Sequence, residues 1–141
     1  MEIPGIGVII PLLFGDNTET LAALAAAERK TISAISVDPE YNRGDGGLAI
    51  DFADGTGIIL FDDGRSCCEN RYIHTDDDLT AFVGAVFAGC EIREVPNIED
   101  KSGDHEVQFL LVHTNLGTIT AETHNEHNGY YGGFYLRACE K

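Results

Sequence analysis

Basic residues are scarce in this chain. Nine lysines and arginines face 24 aspartates and glutamates, which leaves a formal net charge of −15 over 141 residues. Non-specific binding of a nucleic acid polymer needs a basic footprint, and the composition argues against one. Docking on an anionic membrane is disfavoured for the same reason. The acids are spread along the chain instead of forming a tail, so they read as a solvated, repulsive surface. The four cysteines lack paired C-x-x-C spacing, which speaks against structural zinc. No apolar run is long enough to span a bilayer. The stretch from Ile3 to Phe14 is interrupted by Pro4 and Pro11 and has no basic flank, so residues 1–15 are read as an apolar N-terminal arm and not as a targeting signal. A reducing cytoplasm is then the expected compartment. Neither a repeat nor a linker divides the chain, and residues 1–141 are expected to form a single domain.

Local patterns predict an α+β fold, a mostly antiparallel sheet with one core-packed helix and one N-terminal helix. The N-terminal helix is expected over about 17–30, where Asp16 caps, Glu19 completes a capping box, and Leu21, Leu24 and Ala25 form a short apolar face. Three short strands follow, around Ile32 and Ile35, at Leu48–Phe52 and at Ile58–Phe61, separated by Asp38-Pro39, Gly46-Gly47 and Asp54-Gly55. The core-packed helix is expected over about 75–88. Thr75 would cap it, Asp76, Asp77 and Asp78 would complement its dipole, and Leu79, Phe82, Val83, Val86 and Phe87 would form its buried stripe. Further strands are read at Cys90–Val95, Val107–Thr114, Thr118–Thr123 and Phe134–Cys139, with a hairpin at Asn115-Leu116-Gly117.

Two segments stand out chemically. One is Asn128-Gly129-Tyr130-Tyr131-Gly132-Gly133, in which glycines permit close backbone approach and tyrosines supply flat faces. The other is Cys67-Cys68-Glu69, read mainly as shaping its loop. Arg71 and Arg137 flank these segments; each either meets a phosphate or pairs with one of the many acids. Arg65 is read as finishing the Asp62-Asp63-Gly64 turn. Tyr130, Tyr131 or Phe134 could stack a base, Asn128 could hydrogen-bond it, and backbone N–H groups at Gly129, Gly132 and Gly133 could face an anion. His74 with its neighbouring aspartates, and His124 with Glu126 and His127, lack metal-binding spacing, so neither a metal nor a cofactor is expected. A hydrolase using these histidines, or Cys67 or Cys68 as nucleophile, is the alternative enzymatic reading. A purely structural or interaction protein is the other.

Lys30-Thr31-Ile32, Cys67-Cys68-Glu69, Asp77-Asp78-Leu79 with Gly84, and Asn128 to Gly133 together resemble a family of small phage- and prophage-encoded proteins. The same elements are similar to those of the Thoeris anti-defence signal sponges, with the resemblance running from about Lys30 to Arg137. It implies a non-enzymatic protein that forms dimers or larger assemblies. It further implies sequestration of a nucleotide-derived immune signal, either a cyclic ADP-ribose isomer or a cyclic oligonucleotide.

Overall fold

The computed structural model describes residues 18–44, 46–62, 70–94, 104–127 and 136–141. Eight strands dominate these residues: β1 (Ile32–Asp38), β2 (Gly47–Phe52), β3 (Gly57–Asp62), β4 (Asn70–His74), β5 (Phe87–Glu94), β6 (Asp104–Thr114), β7 (Gly117–His127) and β8 (Leu136–Glu140). They form two four-stranded sheets, β1-β2-β3-β8 and β4-β7-β6-β5, in which every pairing is antiparallel. Helix among the described residues is limited to α1 (Thr18–Ala27), the single turn α2 (Tyr41–Gly44) and a 3-10 helix at Leu79–Phe82. The expected α+β class is therefore corrected: the fold is mostly β.

The helix expected over 75–88 accounts for most of that correction. Only Leu79–Phe82 winds, as a 3-10 turn whose N-cap is Asp78, and the chain then enters β5 at Phe87. Gly84 adopts φ +92°, a left-handed conformation that ends a right-handed helix. The backbone beyond it pairs with the stretch leading into β1: Ile32 N–H donates to Ala85 O at 2.8 Å, and Phe87 N–H donates to Lys30 O at 2.9 Å. These long-range bonds replace the helical ladder. The acids near the turn are used individually, since Asp78 accepts from Thr80 N–H at 3.1 Å and Asp77 from Thr120 N–H at 2.7 Å. Thr75 caps no helix; its hydroxyl donates to Thr120 O at 2.7 Å and accepts the N–H of Asp77 at 3.2 Å.

One core cluster joins the two sheets. Leu48, Ile50, Phe52, Ile58 and Leu60 from the first sheet pack with Cys90, Ile92, Leu110, Val112, Ile119 and Ala121 from the second. Burying side chains of this size contributes about 1.5–3 kcal/mol each. Helix α1 contacts β8, β5 and β3 and adds Ala23, Leu24 and Ala27 to the same cluster. Its Thr20 hydroxyl accepts the N–H of Ala138 at 3.2 Å, which satisfies a donor on edge strand β8. Strands β2 and β3 are buried on both faces. Their outward residues Ala49, Ile59 and Phe61 form a second cluster under Tyr41 and beside Cys139.

Candidate functional site

The inner face of the β4-β7-β6-β5 sheet changes character along its length. On β7, Ile119, Ala121, Thr123 and Asn125 alternate inward, each at most 2% exposed. Their cross-strand partners follow the same gradient: Val112 opposes Ile119, Leu110 opposes Ala121, Gln108 opposes Thr123, and Arg71 on β4 opposes Asn125. Apolar side chains thus give way to polar ones within two residue pairs. Across the gap, Asp62 at the end of β3 accepts a hydrogen bond from Arg71 Nη1 at 2.7 Å, and both side chains are buried. One end of the interior is therefore polar, built by β3, β4, β6 and β7.

Within that end, Gln108 Oε1 is buried and has no hydrogen-bond partner among the described residues. Its backbone is satisfied independently, for Thr123 Oγ1 donates to Gln108 O at 3.3 Å. A buried acceptor left without a donor costs about 1–3 kcal/mol. A leucine at this position would avoid that cost, which makes Gln108 a residue in need of a partner.

The same end anchors both unusual sequence segments. Residues 63–69, which carry Cys67, Cys68 and Glu69, connect β3 to β4, and residues 128–135 connect β7 to β8. Asp62 pairs with Leu136 in one sheet and Asn70 with Glu126 in the other. The four strand ends thus converge on the Arg71–Asp62 contact. Cys67, Cys68, Glu69, Asn128, Gly129, Tyr130, Tyr131, Gly132, Gly133 and Phe134 themselves lie outside the described residues, as does the arm at 1–15.

Both candidate arginines are paired, in different ways. Arg71 is 2% exposed and its ion pair bridges the sheets. Arg137 alternates to the opposite face of β8 from buried Leu136 and Ala138, and its Nη2 lies 3.3 Å from Glu19 Oε2 in a partly exposed pair. No described contact gathers the two guanidinium groups into one cluster.

His74, His113 and His124 fall on the outer face of the second sheet. His124 stacks on Tyr72 with centroids 4.5 Å apart and an interplanar angle of 9°, and its Nε2 lies 3.0 Å from Glu122. Burial, a hydrogen bond to Glu126 and the charges of Glu126 and Glu122 push the Tyr72 phenol up to about 12. His74 pairs with Asp76 at 2.8 Å, while His113, which sequence reasoning passed over, lies between Glu91 at 2.7 Å and Thr118 at 3.0 Å. His127 closes β7. No group of three or more metal-ligating side chains occurs among the described residues.

Sequence reasoning also missed Gln108, Thr123, Asn125 and Asp62. A usable signal existed for Gln108: it occupies the inward register of Leu110 and Val112, where a long polar side chain is out of place.

The family described as "Domain of unknown function (DUF7448)" matches residues 28–136, and the chain belongs to it. No curated protein and no solved structure matches the chain.

Proposed function

We propose that this protein binds and withholds a nucleotide-derived signal, without chemistry, at the polar end of its interior. The observation that carries this reading is the unpartnered, buried Gln108 Oε1 beneath the strand ends that anchor both unusual segments. A purine-like base offers N–H donors that such an oxygen accepts, and the gain is large because the acceptor is already desolvated. Asn128 would complete the polar contacts, and Tyr130, Tyr131 or Phe134 would stack the base.

Magnitudes assign the two arginines different roles. The Arg137–Glu19 pair is partly exposed and worth about 0–1 kcal/mol, whereas a charge-assisted phosphate contact is worth about 1.5–3 kcal/mol. Giving up the Glu19 pair would cost little, and from its face of β8 Arg137 would meet a phosphate that reaches past the strand end. Arg71 cannot give up its pair, since leaving Asp62 buried without its partner costs about 3–5 kcal/mol. Arg71 therefore holds the anchoring strand ends in place. The resemblance to signal sponges supplies the ligand class, a cyclic ADP-ribose isomer or a cyclic oligonucleotide, and the homo-oligomeric state.

Native mass spectrometry of the full chain against a panel of cyclic nucleotides and cyclic ADP-ribose isomers tests this reading. The expected result is one member bound at micromolar concentration, with binding weakened by Gln108→Leu and Arg137→Ala. Absence of binding by any member would leave a structural role as the better account. Turnover of a bound member would instead revive the hydrolase reading.

A further inference from the structure

We propose that the free edge of strand β1 pairs with the same edge of a second copy of this chain, antiparallel about a two-fold axis at Ser36. Strand pairing decides which backbone groups face that edge. Phe52 N–H donates to Thr56 O at 2.8 Å, so the Phe52 backbone turns toward β3, and by alternation so do those of Ile50 and Leu48. Their partners on β1 are Ile32, Ile35 and Val37, whose N–H and C=O groups therefore turn away from β2. Ile32 is satisfied there: it donates to Ala85 O and accepts the N–H of Gly84, both at 2.8 Å. Among the described residues nothing bonds the backbone of Ile35 or Val37 on that side. Two donors and two acceptors are left as a template for another strand.

The sequence leaves this template unguarded and makes it self-complementary. Edge strands are commonly protected by charge or proline, yet Thr31 to Val37 carries neither in a chain with 24 acids. The register irregularity of β1 lies between Ile32 and Ala34, at the end already covered by Gly84 and Ala85. Setting Ile35 opposite the partner's Val37, and Val37 opposite the partner's Ile35, uses every open group of both copies in four hydrogen bonds. On the inner face, Ile35 and Val37 are only partly buried against the core, and each gains an apolar neighbour. On the outer face, Ser36 meets the partner's Ser36 and Ala34 meets the partner's Asp38, so no two acids stand directly opposed. A second copy satisfies this register by symmetry alone. The opposing force is the charge of −15 on each copy, which salt screens beyond about 8 Å at physiological strength. The contact needs no ligand, so it stands or falls separately from the signal-binding reading.

Sedimentation velocity of the full chain over a range of concentrations, combined with residue-resolved amide exchange, tests the pairing. Dimers are expected, tightening as salt is raised, with exchange at Ile35 and Val37 slowing as concentration rises. Ser36→Asp opposes two acids across the axis and should weaken the dimer on the order of tenfold, whereas Ser36→Asn, of the same shape, should not. Ser36 is exposed, so neither change disturbs the core. Ser36→Cys should cross-link to itself between copies on oxidation, because residues opposed in a non-hydrogen-bonded pair lie about 4.5 Å apart, within disulfide reach. Ala34→Cys should not, since Ala34 opposes the partner's Asp38. Peptide mapping identifies the bond formed. A monomer at every concentration would overturn the proposal, as would equal cross-linking of the two cysteine variants. Protection of Ile35 and Val37 that does not change with concentration would also overturn it, and would assign the edge to residues 1–15 of the same chain.

Discussion

Arg71 and Asp62 lie in different sheets, and a 2.7 Å contact between them joins those sheets at the end where residues 63–69 and 128–135 are anchored. Both side chains are at least nine-tenths buried, so neither can turn to water if the other is lost. Arg71→Ala and Asp62→Ala should each lower stability by about 3–5 kcal/mol in urea unfolding. The double change Arg71→Met with Asp62→Leu should recover most of that loss, since no charge is then left buried. A double variant no more stable than the singles would show that the pair does not act as a unit. This relationship also changes what Arg71→Ala can report: its melting temperature falls, so weakened ligand binding in that variant is no measure of a phosphate contact.

Gly47 is tightly enclosed. A Cβ there would lie 2.8 Å from Ile59 Cδ1 and 3.2 Å from Tyr41 Cδ2. Gly47→Ala should cost about 1–3 kcal/mol by overpacking. Ile59→Val removes the nearer Ile59 atom, Cδ1, and leaves Cγ1 at 3.0 Å, so the two changes together should cost somewhat less than the sum of each alone. Additive urea midpoints would mean that the close approach is relieved by movement elsewhere.

The legible parts of the sequence were those where one physical cause dominates. Leu48–Phe52 and Ile58–Phe61 are apolar because β2 and β3 are buried on both faces, and they read as strands directly. Leu79, Phe82, Val83, Val86 and Phe87 mislead because two causes overlap. Leu79 and Phe82 pack on the core from a 3-10 turn, Phe87 packs from a strand, and Val83 remains 50% exposed. The helical spacing of the five is produced by the turn between them. Strand β4, Asn70–His74, has no apolar alternation, because Arg71 points inward to Asp62 while Tyr72 points outward to His124. The candidate site was legible as two segments and not as a place. That Asp62, Asn70 and Leu136 come together is a property of strand pairing between residues far apart in sequence.

Cys90 is fully buried in the shared core, and that burial pushes its thiol far above the ordinary range. It should resist alkylation until the protein unfolds, and its modification rate should track global opening. Peptide mapping after iodoacetamide treatment checks this. Labelling of Cys90 under native conditions as fast as that of Cys139 would mean that β5 opens locally.

Tyr72 couples the outer face of the second sheet to alkaline pH. Its phenol is held up from the ordinary 10.0 to about 12, first by burial, then by its hydrogen bond to Glu126 and by the charges of Glu126 and Glu122. The folded state thus favours the protonated phenol more strongly than the unfolded chain does. The resulting stabilisation is present in full below pH 10.0, declines as pH rises, and is gone once pH passes about 12. Tyr72→Phe keeps the ring on which His124 stacks but cannot ionise, so its stability should lose this component of the pH dependence. Absorbance titration of the phenolates should show one fewer late-ionising tyrosine in the variant. Urea unfolding through the same interval should show a steeper fall for wild type than for Tyr72→Phe. Identical late titrations in the two proteins would mean that the Glu126 bond and the burial do not hold the Tyr72 proton.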